Sequence, residues 1–243
     1  MKDYLQQGSD FGRLNPNDYE LFVSRAFPAL MRKVYIWMTF ALAITGVTAF
    51  GVANSPSLLM AIYSSSVIMI GLIIGEIVLV IAVTAAINRL SLTTATLLFV
   101  LFSIVNGAML SSIFLLYSTS IITKVFLITA VTFAVMAAVG YFTKTDLTSF
   151  GKILLMALIG LIIASVVNMF LKSSTMDLII CYIGVLIFVG LTAYDTQKIK
   201  RMLTECYEVN DTTQKIALLG SLTLYLDFIN LFLYLLRLLG RNK

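Results

Sequence analysis

Three acidic side chains lie in or at the end of long apolar stretches of this 243-residue chain, and their type and position could do chemistry. Glu76 lies in IIGEIVL, Asp195 in GLTAYDTQKIK and Asp227 in LTLYLDFINLFLYLL. An aspartate at the centre of a membrane-spanning helix costs about 3 kcal/mol on insertion scales, and such residues usually face a protein interior or a water-filled path. The three acids are therefore the first candidates for a functional site.

Asp195 and Asp227 are predicted to lie at the same height in the membrane. The midpoint of their numbers, 211, falls in VNDTTQ at 209–214, the turn-like stretch between their two helices. An antiparallel hairpin bent at that stretch places the two aspartates side by side. It also predicts that the helix of Asp195 continues to residue 206.

Two carboxylates that meet in a low-dielectric site cannot both stay ionised cheaply, so they tend to share one proton and titrate as a coupled pair. Such a pair is a pH sensor or a cation site. Two structural alternatives stay open. Asp195 could instead be a boundary residue in contact with Lys198 one turn away, and Asp227 a structural acid bonded to Asn230 or to a neighbouring helix.

The elements that must position these acids are membrane-spanning helices. The chain is 60% hydrophobic and 12% charged, with a mean hydropathy of +0.98, far above that of a soluble domain. Seven apolar stretches could each cross a hydrocarbon core that needs roughly 20 helical residues. They are residues 34–53, 57–87, 92–117, 122–142, 153–171, 176–194 and 216–239. The sequence therefore predicts an all-α, polytopic membrane protein.

The distribution of basic residues predicts the orientation. A polar arm at 1–32 precedes a single transmembrane domain at 33–243, and no cleavable signal peptide is visible in the arm. Twelve of the 17 Lys and Arg residues fall on the side of the arm, which the positive-inside rule makes cytoplasmic. The basic residues of the tail, Arg237, Arg241 and Lys243, fall on the opposite side and do not follow this rule. The last segment could therefore be short or re-entrant instead of a full span.

The composition argues against several function classes. The chain has no histidine, the commonest catalytic base and zinc ligand, and its two cysteines do not form a disulfide framework. The formal charge of +5 serves topology better than nucleic-acid binding. An intramembrane aspartyl protease also pairs two aspartates, but that class requires GxGD where this chain has LYLD at 224–227, so we expect no enzyme activity.

Glu76 lies deep in the second span and needs a polar partner or water. Arg89 is the nearest basic residue, but 13 positions at 100° each leave the two about 220° apart around an ideal helix. They are not expected to pair within one helix. Arg89 is left either to reach the acids of other helices or to lie in the headgroup region.

Two motifs in this sequence resemble those of the Bax inhibitor family, also called the transmembrane Bax inhibitor motif family. The stretch LTLYLDFINLFLYLLRLLG at 222–240 is similar to the signature of the last helix in that family, and AYDTQKIK at 193–200 is similar to the motif of its sixth helix. The hydropathy layout matches over essentially the whole chain after the polar arm.

The resemblance implies a bacterial member in the cytoplasmic (inner) membrane, with seven helices, the last at the centre of the bundle. It implies a pH-sensitive calcium leak gated by Asp195 and Asp227, with Glu76 as the acid of the second helix. These three acids are then the candidate ligands for a calcium ion that passes or binds transiently. Arg89 is the candidate for the family's arginine near that helix end, displaced by about half a turn. Calcium, protons and the lipid bilayer are the implied partners, and no tightly bound cofactor is expected. A non-conducting scaffold for other membrane proteins is the alternative function.

Overall fold

The structure, a computed structural model, describes residues 26–206 and 209–240 and is helical almost throughout. No β-strand occurs in those residues. The helices, in chain order, are α1 (Phe27–Ala53), α2 (Pro56–Tyr63), α3 (Ser66–Ala85), α4 (Leu92–Leu110), α5 (Ile113–Leu116), α6 (Thr119–Phe142), α7 (Thr148–Leu171), α8 (Ser174–Thr204) and α9 (Asp211–Gly240).

Seven helical stretches of the described residues are long and apolar enough to cross a membrane, which confirms the predicted fold class. They are α1, α3, α6, α7, α8, α9 and the stretch Leu92–Leu116, which combines α4 and α5. α9 is one continuous helix of 30 residues, about 45 Å long at 1.5 Å per residue. The last segment is therefore long enough to span the membrane fully.

Two predicted boundaries are wrong. α1 begins at Phe27, inside the predicted polar arm, and Pro28 occupies its first turn, where a missing N–H costs no hydrogen bond. The rest of the arm, residues 1–25, lies outside the described residues. The predicted second span at 57–87 is divided into α2 and α3, and the Ser65 hydroxyl caps α3 by accepting a hydrogen bond from Ile68 N at 3.4 Å.

At one end of the bundle, polar side chains join helices and connections that are distant in the sequence. Near the start of α1, Lys33 Nζ donates to Gln214 Oε1 in the first turns of α9 at 2.7 Å. Near the end of α8, Gln197 Nε2 donates to Thr145 O in the connection between α6 and α7 at 2.8 Å. We call this end, with the start of α1, the α6–α7 connection and the α8–α9 turn, the basic end.

α9 lies at the centre of the bundle. It contacts α8, α1, α6 and α4, and 67% of its most apolar 18-residue window is buried, against 6% for α3. Its buried side chains are large, with Tyr225, Leu224 and Leu231 all fully enclosed. A helix with an acidic residue at mid-span is thereby surrounded by protein instead of lipid.

Glycine allows α6 to approach α8 closely. A Cβ added at Gly140 of α6 would collide with the backbone carbonyl of Ala193 in α8. Ala193 is the first residue of the AYDTQKIK motif. Gly71 of α3, by contrast, has no atom within 4 Å of the position that a Cβ would take. The first glycine is required by packing, and the second is not.

We therefore expect Gly140→Ala to destabilise the protein by about 1–3 kcal/mol, the usual cost of overpacking, because α6 must move away from the α8 backbone. The midpoint of thermal unfolding of the purified protein in detergent measures this. Gly71→Ala is the matched control and should unfold at the same or a higher temperature, since alanine favours the helix by about 0.5–1 kcal/mol over glycine. Equal midpoints for the two variants would contradict the close contact.

Candidate functional site

The register of the α8–α9 hairpin determines the relative heights of the two aspartates. Ile199 of α8 packs against Gly220 of α9. Asp195 lies four residues before Ile199, so in this antiparallel pair it is level with Leu224, four residues after Gly220. Asp227 lies three residues farther along α9, about 4.5 Å at the helical rise. The predicted equal height is therefore wrong by nearly one turn.

The error comes from the position of the turn. The predicted turn at 209–214 is mostly helix, because α9 begins at Asp211. Asn210 caps it, with its Oδ1 accepting a hydrogen bond from Thr213 N at 3.0 Å, as asparagine does at helix starts. The prediction that α8 continues well beyond Asp195 agrees with the structure. The helix ends at Thr204, two residues before the predicted end at residue 206.

The two carboxyl groups nevertheless come within hydrogen-bond reach of each other. Side chains on a helix tilt toward its N-terminus, so Asp195 points toward the level of Asp227, and Asp227 points back toward Asp195. Both are buried, with exposed fractions of 9% and 4%. Asp227 Oδ2 is fully enclosed and receives no hydrogen bond from the described residues.

Neither alternative partner bonds directly to the aspartates among the described residues, although the Lys198 ammonium is close enough to interact electrostatically with the Asp195 carboxyl group. Lys198 is exposed, with its Nζ over the ring of Tyr194 at 5.9 Å from the centroid, and no ion pair joins it to Asp195 within the described ranges. Asn230 Nδ2 donates to Leu226 O at 2.8 Å, one turn back in its own helix. The hydrogen-bonding neighbour of each aspartate is therefore the other aspartate.

Arg89 is not brought to this pair. It lies in the turn between α3 and α4 and is exposed, and it forms no hydrogen bond or ion pair with Asp195 or Asp227. The expectation that Arg89 helps to hold the pair is not supported in this structure. Its position fits the alternative of a residue at the membrane surface.

Glu76 belongs to a separate polar chain of four side chains. Asn106 Nδ2 of α4 donates to Glu76 Oε1, and Tyr225 Oη of α9 donates to Asn106 Oδ1 at 3.0 Å. Tyr225 Oη lies 2.7 Å from Thr45 Oγ1 of α1, and Thr45 Oγ1 also donates to the backbone carbonyl of Ser103 at 3.0 Å. The chain thus joins α3, α4, α9 and α1, and it does not include Asp195.

The sequence indicated part of this chain. Asn106 stands out as a polar residue in an apolar span, where interhelical hydrogen bonding is its usual role. Tyr225 and Thr45 were missed, because each is common in membrane helices and nothing local marks their contact across 180 positions.

Calcium would find few ligands at the aspartates alone. Calcium ions in proteins take 6–8 oxygen ligands, and no three His, Cys, Asp or Glu side chains cluster anywhere in the described part of the chain. Glu76 therefore does not join Asp195 and Asp227 in one metal site.

Polar contacts from α8 fix the connection between α6 and α7 at the basic end. Gln197 Oε1 accepts from Leu147 N at 2.9 Å and Gln197 Nε2 donates to Thr145 O at 2.8 Å. Arg201 Nη2 pairs with Asp146 Oδ1 at 2.8 Å, and both side chains are largely exposed. Gln197 lies two positions after Asp195, so the same turn of α8 holds the connection and carries the acid.

Asp146 does not titrate near neutral pH. Hydrogen bonds from Thr148 and from the Arg201 guanidinium hold the pKa of Asp146 well below its usual value of about 4. A lowered pKa makes the contact fully present above the usual value, and it is lost only as the pH falls through the folded value. A pH response near neutrality must come from other groups.

We expect Gln197→Ala to release the α6–α7 connection, because two backbone groups lose their side-chain partner. Hydrogen exchange at the Leu147 amide should become faster. Lys198→Ala is the matched control, since its side chain is exposed and makes no contact with the connection, and it should leave that exchange rate unchanged. Unaltered exchange in Gln197→Ala would show that other contacts hold the segment.

Comparison with known proteins agrees with the two motifs. Residues 28–243 match the family described as inhibitor of apoptosis-promoting Bax1. The inner membrane protein YbhL of Escherichia coli K12 is 48% identical over 215 residues, covering 88% of this chain and 92% of that protein. An uncharacterised protein of Borreliella burgdorferi is 43% identical over 230 residues, covering 95% and 98%. With a family match over nearly the whole chain and relatives of this identity, the chain belongs to the Bax inhibitor family.

Proposed function

We propose that the protein is a pH-sensitive calcium leak channel of the membrane, gated by Asp195 and Asp227. The observation that carries this proposal is that two buried carboxyl groups face each other against the central helix of the bundle. The family supplies the membrane setting, and the activity itself is inferred from the chemistry of the pair.

The energetics of the pair supply the sensor. Two carboxyl groups can bond to each other only when at least one carries a proton, because an ionised carboxylate has acceptors alone. Without that proton, two like charges stand close together in a low-dielectric interior and repel. The enclosed Asp227 Oδ2 has no other donor within the described residues, so the proton count of the pair decides whether the contact attracts or repels.

The same contact joins α8 to α9, and this makes it a gate. When the proton count changes, the contact between the two helices weakens and α9 can move. Calcium, a hard cation that prefers oxygen ligands, would then pass along the freed carboxylates as the substrate. Glu76 contributes a further negative charge deep in α3 and would help to attract the ion.

We infer that the protein is not an enzyme, because LYLD at 224–227 stands where an intramembrane aspartyl protease requires GxGD. A non-conducting scaffold for other membrane proteins is the competing function. Purified protein in vesicles separates the two, since a leak gives calcium flux that depends on pH and a scaffold gives none. Calcium flux into protein-containing vesicles equal to that into empty vesicles at every pH would end the leak proposal.

Removing either acid should abolish the pH response. Asp195→Asn and Asp227→Asn should each give calcium flux that varies little with pH, and the double variant should resemble the single ones, because residues that act as one unit do not have additive effects. Vesicle flux measured across pH provides this double-mutant cycle. Asp177→Asn, at the far end of α8, is the control and should keep the response. Additive shifts of the pH midpoint would indicate two independent sites.

We further infer that the basic end is cytoplasmic, from the excess of Lys and Arg there. In a variant with Cys181 and Cys206 replaced by serine, a membrane-impermeant maleimide should label Asn54→Cys on intact cells, because residue 54 follows α1 at the opposite end. Lys144→Cys, in the α6–α7 connection, should react only after the membrane is opened. The reverse pattern would invert the orientation.

A further inference from the structure

The polar chain from Thr45 to Glu76 has fewer hydrogens than contacts. The Thr45 and Tyr225 hydroxyls carry one hydrogen each, yet they make three close contacts, with Ser103 O, with each other and with Asn106 Oδ1. While Asn106 presents its Oδ1 to Tyr225, as it does in this structure, all three cannot be hydrogen bonds at once. With the Tyr225 hydrogen on Asn106, either the contact between Thr45 and Tyr225 or the contact between Thr45 and Ser103 O lacks a hydrogen.

The charge on Glu76 selects the direction. When Glu76 is ionised it can only accept, so Asn106 donates to the carboxylate and Tyr225 donates to Asn106 Oδ1. The single Thr45 hydrogen then goes either to Tyr225 or to Ser103 O. When Glu76 is protonated and the Asn106 amide turns by half a rotation, every bond reverses and the last hydrogen, on Thr45, goes to Ser103 O. In the first direction the bonds from Tyr225 and Asn106 point toward a negative charge, which makes them shorter and stronger.

The chain acts on α9 at the turn that carries Asp227. Tyr225 and Asp227 are two residues apart, about 200° around the helix and about 3 Å along it. Tyr225 therefore holds α9 toward α1 and α4 on one face, while Asp227 contacts Asp195 of α8 on the nearly opposite face. Tyr225 and Asp227 lie on one rigid turn of α9. A change in the hydrogen bonds of the Tyr225 hydroxyl therefore also changes the force on the contact between Asp227 and Asp195.

We propose that Asn106 and Tyr225 are positioning residues that couple the charge on Glu76 to the position of α9, and thereby to the contact between Asp195 and Asp227. The proposal rests on the proposed leak for its physiological meaning, and on the hydrogen-bond chain for its mechanism. A cation drawn to Glu76 would act as a proton does, by competing with Asn106 for the carboxylate.

No other charged group faces Glu76 from the helices packed around it. Glu76 is the one charged residue of α3, and α4 and α2, which contact α3, contain none. Among the described residues, the Tyr225 hydroxyl of α9 interacts electrostatically with Glu76, whereas the hydroxyl of Tyr63 in α2 bonds to Met109 O and Ser111 at the end of α4. The effect of Glu76 on α9 should therefore pass through Asn106 and Tyr225.

The test measures the position of α9 directly. Spin labels at Leu186→Cys of α8 and Leu239→Cys of α9, both exposed positions, report the distance between the two helices in the full-length protein in lipid nanodiscs. Cys181 and Cys206 are replaced by serine. Glu76→Gln keeps a side chain that can accept or donate but removes the charge, and it should shift the distance distribution.

Tyr225→Phe removes one hydroxyl and keeps the ring, which packs edge-on against Phe99 and Phe102 at 5.9 and 5.6 Å between centroids. Tyr225→Phe should shift the distance as Glu76→Gln does, and combining the two should add no further shift. Asn106→Leu, of similar size, should behave in the same way. It also provides the test if Tyr225→Phe does not fold.

Tyr234→Phe is the matched control, because it removes a tyrosine hydroxyl from the same helix outside the chain. It should leave the distance and the response to Glu76→Gln intact. A Glu76→Gln shift of equal size in the Tyr225→Phe and Asn106→Leu backgrounds would overturn the coupling, and so would the absence of any shift in Tyr225→Phe. Calcium flux into vesicles is measured on the same variants. Flux absent in the wild type would defeat the leak alone, since the distances still decide the coupling.

Discussion

The burial of α9 on several sides at once is the constraint on which the rest of the structure depends. An acid at mid-span costs about 3 kcal/mol where it faces lipid, and Asp227 avoids that environment because α1, α4, α6 and α8 surround its helix. Close packing around a helix with large side chains requires small residues elsewhere. Gly140, pressed against the α8 backbone, is one such residue.

Burial alone does not satisfy polar groups, since the hydrocarbon core offers no water to replace a missing partner. On one face of α9, the Tyr225 hydroxyl has partners on both sides, Thr45 and Asn106. On the other face, the carboxyl group of Asp227 meets another acid, Asp195, and its Oδ2 has no hydrogen-bond partner among the described residues. The first contact can be satisfied in either direction of donation, whereas the second needs a proton from outside the pair. α9 is therefore held by the hydrogen bonds of Tyr225, which can form in either direction of donation, and by the contact between Asp227 and Asp195, which depends on protonation of the pair.

The sequence was sufficient to predict the spans and the approach of Asp195 to Asp227, but not the relative height of the two residues. Membrane spans can be predicted from the sequence because a helix needs roughly 20 apolar residues to cross a bilayer. Asp195 and Asp227 come together as predicted, although the predicted turn was misplaced. The cap at Asn210 is a local detail that the midpoint of two residue numbers does not detect. The two carboxyl groups still meet, because the tilt of each side chain along its helix spans the difference in height.

What the sequence could not supply were the contacts between distant helices. Arg89 looked like a partner for buried acids because it is a basic residue near a span, yet it lies exposed at a turn. Glu76 needed a partner, and the residues that serve it, Asn106 and beyond it Tyr225, lie 30 and 149 positions away in α4 and α9. Such pairings follow from the way the helices pack around α9, which composition and periodicity do not encode locally.

The packing around α9 is also uneven, and this bears on which forces hold it. α1 and α6 leave an apolar groove of about 1000 Å³ between them, with Phe228 of α9 at its floor, next to Asp227. In a bilayer, lipid chains are as apolar as the side chains that line such a groove, so apolar association between helices has little driving force there. A shift of α9 toward the groove exchanges protein contacts for lipid contacts at little cost. The polar contacts on its other faces, to Asp195 and to Asn106 and Thr45, are then what fixes its position.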